Sequence, residues 1–293
     1  MKPEIKELTG VGENQILAGY TTFKIGGVAD WFYQVKNETD LIKAISFCRK
    51  QKIPFFILGG GSNLLVSDKG FRGMVIKMEN EMIKVDNEKI IVESGSSLAR
   101  LIKIAMENSL SGLEFLAGIP GTVGGSIVGN AGAWQENFSD KIKRVKILDG
   151  KDQVKWFNQE DCQFSYRQSR FKKSKEIILA VEIELKKAKQ KDISQKISDN
   201  LKKRKNQPQE PSAGSIFINP KPNSASDLIE NCGLKGVKRG GAEISDKHAN
   251  FIVNRDGAKA KDVLELISLA KQQVKEKFGI DLKTEIFFLG GSK

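Results

Sequence analysis

Histidine and cysteine are scarce in this chain of 293 residues: one histidine, His248, and three cysteines, Cys48, Cys162 and Cys232. A single histidine excludes a His-rich metal site, and His248 reads as a structural or ligand-orienting residue ahead of a general base. The cysteines lie far apart with no CxxC pair, so neither a zinc site nor a disulfide framework is indicated. Long apolar runs are also missing. None approaches the ~18 residues of a membrane span, and MKPEIKELTG at the start contains no apolar leader core. A cytoplasmic protein without a membrane partner is the expectation. Both common nucleotide fingerprints are absent: there is no G-x-x-x-x-G-K-[ST], and Gly59, Gly61 and Leu64 fail the third glycine of G-x-G-x-x-G.

Charge of one sign is in excess, with a formal net charge of +12. The lysines are densest in KKAKQKDISQKISDNLKKRK (186–205), where Ile193, Ile197 and Leu201 recur at i, i+4, i+8. That spacing describes an amphipathic helix with a solvated basic face. No RNP pattern, finger spacing or helix-turn-helix accompanies it, so a nucleic-acid partner is not expected. Hydrophobic residues at 39% and charged residues at 29% suit a soluble protein with a sizeable core, long enough for two domains or for one large domain plus a satellite.

Glycine is what the chain has in unusual arrangement. Residues 118–134, GIPGTVGGSIVGNAGAW, hold glycines at 118, 121, 124, 125, 129 and 132. Glycine admits close approach of backbone to a ligand and positive φ, and successive bare amides form anion-binding concavities. The segment reads as a wall against a flat or phosphorylated cofactor, or as a long loop closing a tight turn. A second stretch, FFILGGGSNLLV (55–66), reads as strand, phosphate-cradling turn, strand, with Ser62 and Asn63 as added donors.

The periodicities predict a βαβ unit over 29–58, with a helix over 40–51 capped by Thr39. A meander of strands follows at 74–77, 81–85 and 89–93, then a helix from Leu98 to near Asn108. A hairpin turns at Asp149–Gly150, and 177–185 is a further strand. The basic helix 189–206 reads as a linker. Beyond it 207–227 holds four of the seven prolines and marks a domain entrance. Short and long helices then end at Gly233 and Gly279, and Leu282–Leu289 is a terminal strand. Residues 1–21 form an N-terminal extension.

Three places stand out chemically. Ser215 lies in AGSIFINP; it is a turn former or, with no histidine base near, a proton donor. Glu285 interrupts LKTEIFFLG, and alternation puts it with Lys283, Phe287 and Leu289, opposite Leu282, Ile286 and Phe288. It reads as a solvent-facing carboxylate or as one held in a cleft beside apolar residues. Tyr166–Arg167 pairs a phenol with a guanidinium suited to a carboxylate or phosphate, or ends a surface strand.

The motifs TFKIGGVADWF (22–32), LGGGSNLLV (58–66), GLEFLAGIPGTVGGSIVGNAGAW (112–134), YRQSRFK (166–172), PSAGSIFINP (211–220), GAEISDKHANFIVN (241–254) and GIDLKTEIFFLG (279–290) stand in the order found in one family. Together they resemble UDP-N-acetylenolpyruvoylglucosamine reductase, over nearly the whole chain. The resemblance implies an α+β fold: an FAD-binding domain of the vanillyl-alcohol-oxidase/PCMH type over 22–188, then a smaller substrate-binding domain over 207–293. The cofactor-binding residues it implies are Leu58, Gly59, Gly60, Gly61, Ser62, Asn63 and Leu64 in the first loop. In the second they are Gly118, Ile119, Pro120, Gly121, Thr122, Gly124, Gly125, Asn130, Ala131 and Gly132. Neither loop contains Cys or His, so non-covalent FAD is expected.

The implied reaction has two halves in one site. NADPH reduces FAD, and reduced flavin N5 passes hydride to the enolpyruvyl β-carbon of UDP-N-acetylglucosamine enolpyruvate. The carbanion-like α-carbon then needs a proton and a cation near its carboxylate. The resemblance assigns the proton to Ser215, active-site roles to Arg167 and Glu285 with Tyr166 beside them, and a nucleotide contact to Asn219. A monomer is expected. Three departures from the family pattern are visible: Ile218 where Lys or Arg is common, Trp134 where Tyr is frequent, and a length that fits the shorter subtype without an extra tyrosine loop. The alternatives are another FAD oxidase or dehydrogenase of the same cofactor fold and, on charge alone, a nucleic-acid or scaffold protein.

Overall fold

The computed structural model describes residues 8–291; the first seven residues of the expected N-terminal extension lie outside them. The described residues divide into two compact units, one running to residue 11 and including 33–60 and 75–204, the other of 12–32, 61–74 and the chain from 205. The chain changes unit within two strands, Val28–Val35 and Phe71–Met78.

In the first unit, helix α1 (Glu38–Lys50) buries Leu41, Ala44, Ile45, Phe47 and Cys48. Its cap is Asn37, not Thr39. Asn37 is extended at φ −149° and its side chain accepts the Asp40 N–H at 2.9 Å, which leaves Thr39 inside the first turn. The expected meander is also divided. Strand Phe71–Met78 lies between Val28–Val35 and Phe55–Leu58 in a four-stranded sheet, as its buried run Gly73–Ile76 suits an inner strand. Only Ile83–Asp86 and Lys89–Glu93 form the antiparallel hairpin.

That hairpin belongs to a five-stranded antiparallel sheet completed by Ile177–Glu184, Ile142–Leu148 and Val154–Asn158. Ile90, Val92, Val145, Ile147, Val181 and Ile183 are fully buried on it. They share one core with helix α2 (Leu98–Glu107), through Leu98, Leu101 and Ile102, and with helix α3 (Val123–Gly129), through Val123 and Ile127. The basic helix is α4 (Gln190–Lys203), and it packs on the first unit. Ile193 is buried, Ile197 packs on the same core, and the Asn200 amide donates to the Glu114 carbonyl at 3.0 Å.

In the second unit, Ser212–Ser215, Phe251–Asn254, Ala242–Ile244 and Lys238–Arg239 form an antiparallel sheet. Helix α5 (Ala225–Asn231) is capped by Ser224, and helix α6 (Ala260–Phe278) ends at Gly279, φ +70°. Val263, Leu266, Ile267, Ala270 and Val274 of α6 join Phe217, Ile252 and Ile286 in the core. The terminal strand is shorter than expected, Phe287–Leu289, paired parallel to Leu64–Val66. Residues before it pair instead with 216–218. This change of partner breaks the alternation, so that Leu289 is buried and Phe288 is 46% exposed.

Candidate active site

Strand Phe55–Leu58 delivers Gly59 and Gly60 against the second glycine segment. A Cβ on Gly60 would stand 2.8 Å from Gly121 Cα, and one on Gly59 would collide with Thr122 Oγ1. Two loops sixty residues apart therefore meet within the first unit, and their glycines serve that packing as well as any ligand. The same holds along the segment: Gly118, φ +78°, lies beside Arg204 Cδ, and Gly124 beside Ser94. Gly125 and Gly129 have room. Gly125 would meet nothing nearer than Thr122 Oγ1 at 3.5 Å, and Gly129 nothing within 4 Å.

Within the second segment the first amides of α3 are engaged by the protein itself. Val123 N–H donates to Ser96 O at 2.9 Å and Gly124 N–H to Ser94 O at 2.8 Å, while Thr122 Oγ1 accepts from Gly125 N–H at 3.4 Å. Asn130 is likewise engaged: its side chain accepts from Ser139 N–H at 3.1 Å and donates to Ser165 O at 3.0 Å. Left-handed at φ 44°, it closes α3. Among the flanking residues, Leu58 and Leu64 are buried, Ile119 and Ala131 lie against the core, and Pro120 is exposed.

A cavity of about 540 Å³ opens where the two loops meet. Gly60, Gly121 and Thr122 line it with Lys36, Lys77, Gly95 and Ser97, and two carboxylates, Glu79 and Glu81, stand at the same wall. Lys77 is half-buried, and burial pushes its ammonium below the usual lysine range against the attraction of Glu79 and Glu81. Close by, Asn80 Oδ1, Ser94 Oγ and Ser96 Oγ are buried and have no hydrogen-bond partner among the described residues. A Cβ on Gly95 would lie 2.7 Å from that Asn80 oxygen. Cations, small residues and unsatisfied polar atoms around one hollow fit a ligand bearing phosphate and sugar, as FAD does. The sequence reading missed Lys77, Asn80 and Ser94; the small-residue run Ser94–Ser97 was the available signal.

Arg167 sits in the left-handed region at φ 56° and donates to Gly132 O at 2.7 Å and Asn130 O at 3.4 Å. It is thereby joined to the end of the second glycine segment, 5.3 Å from the ring centroid of the exposed Tyr166. A second cation, Arg204, bonds Ala117 O at 2.8 Å and Phe115 O at 3.2 Å. Burial, and then the charge of Arg167, lowers its pKa. Lys203 and Arg204 lie 5.1 and 5.8 Å from the ring of Trp134, which is exposed.

In the second unit Ser215 and Glu285 come onto neighbouring strands. Glu285 N–H donates to Ile216 O at 2.8 Å, Ile218 N–H to Lys283 O at 2.9 Å, and Phe217 bridges Thr284. Asn63 joins them: its side chain donates to Glu285 O at 3.4 Å, and its carbonyl accepts from Phe287 N–H at 2.9 Å. Gly214, φ +74°, turns the chain just before Ser215. Asn219 caps Ala225 N–H at 2.9 Å. His248 is held by its surroundings, its Nδ1 accepting from Asn250 N–H and lying 3.3 Å from Ser226 Oγ. Burial lowers its pKa.

A model described as FAD binding domain matches residues 29–158, and one for the C-terminal domain of UDP-N-acetylenolpyruvoylglucosamine reductase matches 207–289. These matches, with the α+β architecture, define an FAD-dependent oxidoreductase. The reductase of that name from Caldanaerobacter subterraneus subsp. tengcongensis is 41% identical over 98% of this chain and 97% of its own. That from Anoxybacillus flavithermus is 43% identical over 96% and 94%. The crystal structure of UDP-N-acetylenolpyruvylglucosamine reductase from Thermus caldophilus superposes with a TM-score of 0.83 at 35% identity, covering 94% of this chain and 98% of that one. The chain belongs to the UDP-N-acetylenolpyruvoylglucosamine reductase family.

Proposed function

We propose that this protein reduces UDP-N-acetylglucosamine enolpyruvate to UDP-N-acetylmuramate for peptidoglycan, with NADPH as the electron donor. The observation that carries the chemistry is the pairing in the second unit, which sets Ser215 and Glu285 on adjacent strands. FAD, when bound, carries the two electrons from NADPH to the enolpyruvyl double bond. The chain's residues handle charge and proton. Addition at the β-carbon leaves the α-carbon as an enolate conjugated with the substrate carboxylate. Arg167, always charged, opposes that carboxylate and lowers the cost of the developing charge. Its guanidinium is oriented by the Gly132 and Asn130 carbonyls, and Tyr166 covers it. Ser215 Oγ gives its proton to the α-carbon, and Glu285 orders the charge around that step.

In this reading 22–188 is the cofactor domain, 189–206 a connecting helix and 207–293 the substrate domain. The residues of the two glycine loops hold FAD without a covalent bond, and Asn219 contacts the nucleotide part of the substrate. The protein works as a cytoplasmic monomer with no nucleic-acid or membrane partner.

Anaerobic half-reactions test the proposal. NADPH should bleach the flavin band, and the enolpyruvyl substrate should restore it. Ser215→Ala should keep bleaching while substrate-driven reoxidation slows about 10²- to 10⁴-fold. Reoxidation at the parent rate would remove Ser215 as the acid. Flavin that bleaches but never reoxidises in the parent protein would overturn the substrate.

A further inference from the structure

Lys77 is an anomaly for a lysine. It lines the cavity at the meeting point of the two glycine loops, half-buried on strand Phe71–Met78. Its ammonium makes one hydrogen bond, to the Met78 carbonyl at 3.3 Å, and among the described residues it has no ion pair. The two nearby acids are occupied: Glu79 accepts from the Gln34 amide at 2.7 Å, and Glu81 pairs with Arg100 at 2.9 Å. Glu79 and Glu81 attract Lys77 across the cavity wall without forming an ion pair with it, and that attraction is outweighed by the burial of the ammonium, which an anion in the cavity would offset.

We propose that Lys77 is the residue that neutralises the diphosphate of FAD, and so sets how tightly this chain holds its cofactor. The geometry supports a phosphate in this place. Gly60 and Gly121 line the same cavity, and among the described residues neither amide donates to a backbone carbonyl, while the Gly121 carbonyl accepts from Leu98 N–H at 3.1 Å. A volume of about 540 Å³ takes part of a dinucleotide. The amides direct the phosphate oxygens, while Lys77 supplies charge that no amide can. The first amides of α3 do not compete for this role: Val123 and Gly124 donate to the Ser96 and Ser94 carbonyls, and Gly125 to Thr122 Oγ1.

The test is cofactor affinity in the full chain, stripped of flavin and titrated with FAD by fluorescence quenching. Lys77→Met should raise the dissociation constant about 10- to 100-fold at low salt, the range for losing one charge-assisted hydrogen bond. Lys77→Arg should stay within about 3-fold of the parent. Raising the salt should narrow the gap between parent and Lys77→Met, because screening weakens only the charged contact. A merely structural lysine would give a loss that is insensitive to salt and not rescued by arginine, and that result overturns the assignment. So does an affinity for FAD within about 3-fold of the parent. If Lys77→Met does not fold, Lys77→Gln removes the charge with a polar group retained and carries the same comparison.

Discussion

Glycines in the two loops do different work, and alanine substitution separates them. Gly60→Ala places a methyl 2.8 Å from Gly121 Cα and 3.3 Å from the Gly121 carbonyl carbon, both backbone atoms that cannot rotate aside. Relieving that overlap means moving one loop, at a cost of about 1–3 kcal/mol. The loss appears in protein without flavin, as a lower urea midpoint or a melting temperature reduced by roughly 2–4 °C per kcal/mol. Gly125→Ala behaves oppositely. It is an exposed position inside α3, with only Thr122 Oγ1 at 3.5 Å, and alanine there favours the helix by about 0.5–1 kcal/mol. If that bare surface lies against the flavin, the new methyl weakens FAD binding about 10-fold or more while the stripped protein becomes more stable. Paired titrations and unfolding curves of the two variants decide the matter. A Gly60→Ala protein as stable as the parent refutes the packing argument. A Gly125→Ala protein that binds FAD normally refutes the wall.

Two further outcomes rest on scarce residues. Burial lowers the pKa of His248 in the fold, whereas the unfolded chain binds a proton near pH 6.5. The unfolded state therefore holds more protons on acidification, so stability is complete above about pH 6.5 and falls as the pH drops below it toward the folded pKa. With one histidine in the chain, His248→Asn should flatten the urea midpoint between pH 7 and 5.5; an unchanged slope assigns the effect elsewhere. Thiol labelling gives the second check. Cys48 and Cys162 are fully buried, with pKa values pushed up by burial to about 11 and about 12. Cys232 is half-buried. The native protein should label at Cys232 alone and the urea-unfolded protein at all three; native labelling of Cys48 or Cys162 would mean that their cores open.

Residue order alone determined the glycine loops, the amphipathic stripes of α2 and α6, the Asp149–Gly150 hairpin, and the caps at Gly233 and Gly279. Each depends on chemistry within a few residues, where φ preference and periodicity act without reference to the rest of the chain. The motif order also carried the family, since such a series needs no geometry to be read. Tertiary structure decided the rest. No local rule says that Gly60 meets Gly121, that 283–285 pair with 216–218 before the chain turns to Leu64–Val66, or that strand Phe71–Met78 leaves the hairpin beside it for another sheet. Lys77 looks like one more surface lysine among many until the fold places it beside two glycine loops. Burial and partners at long sequence separation decide what a charged side chain does, and the folded chain alone supplies them.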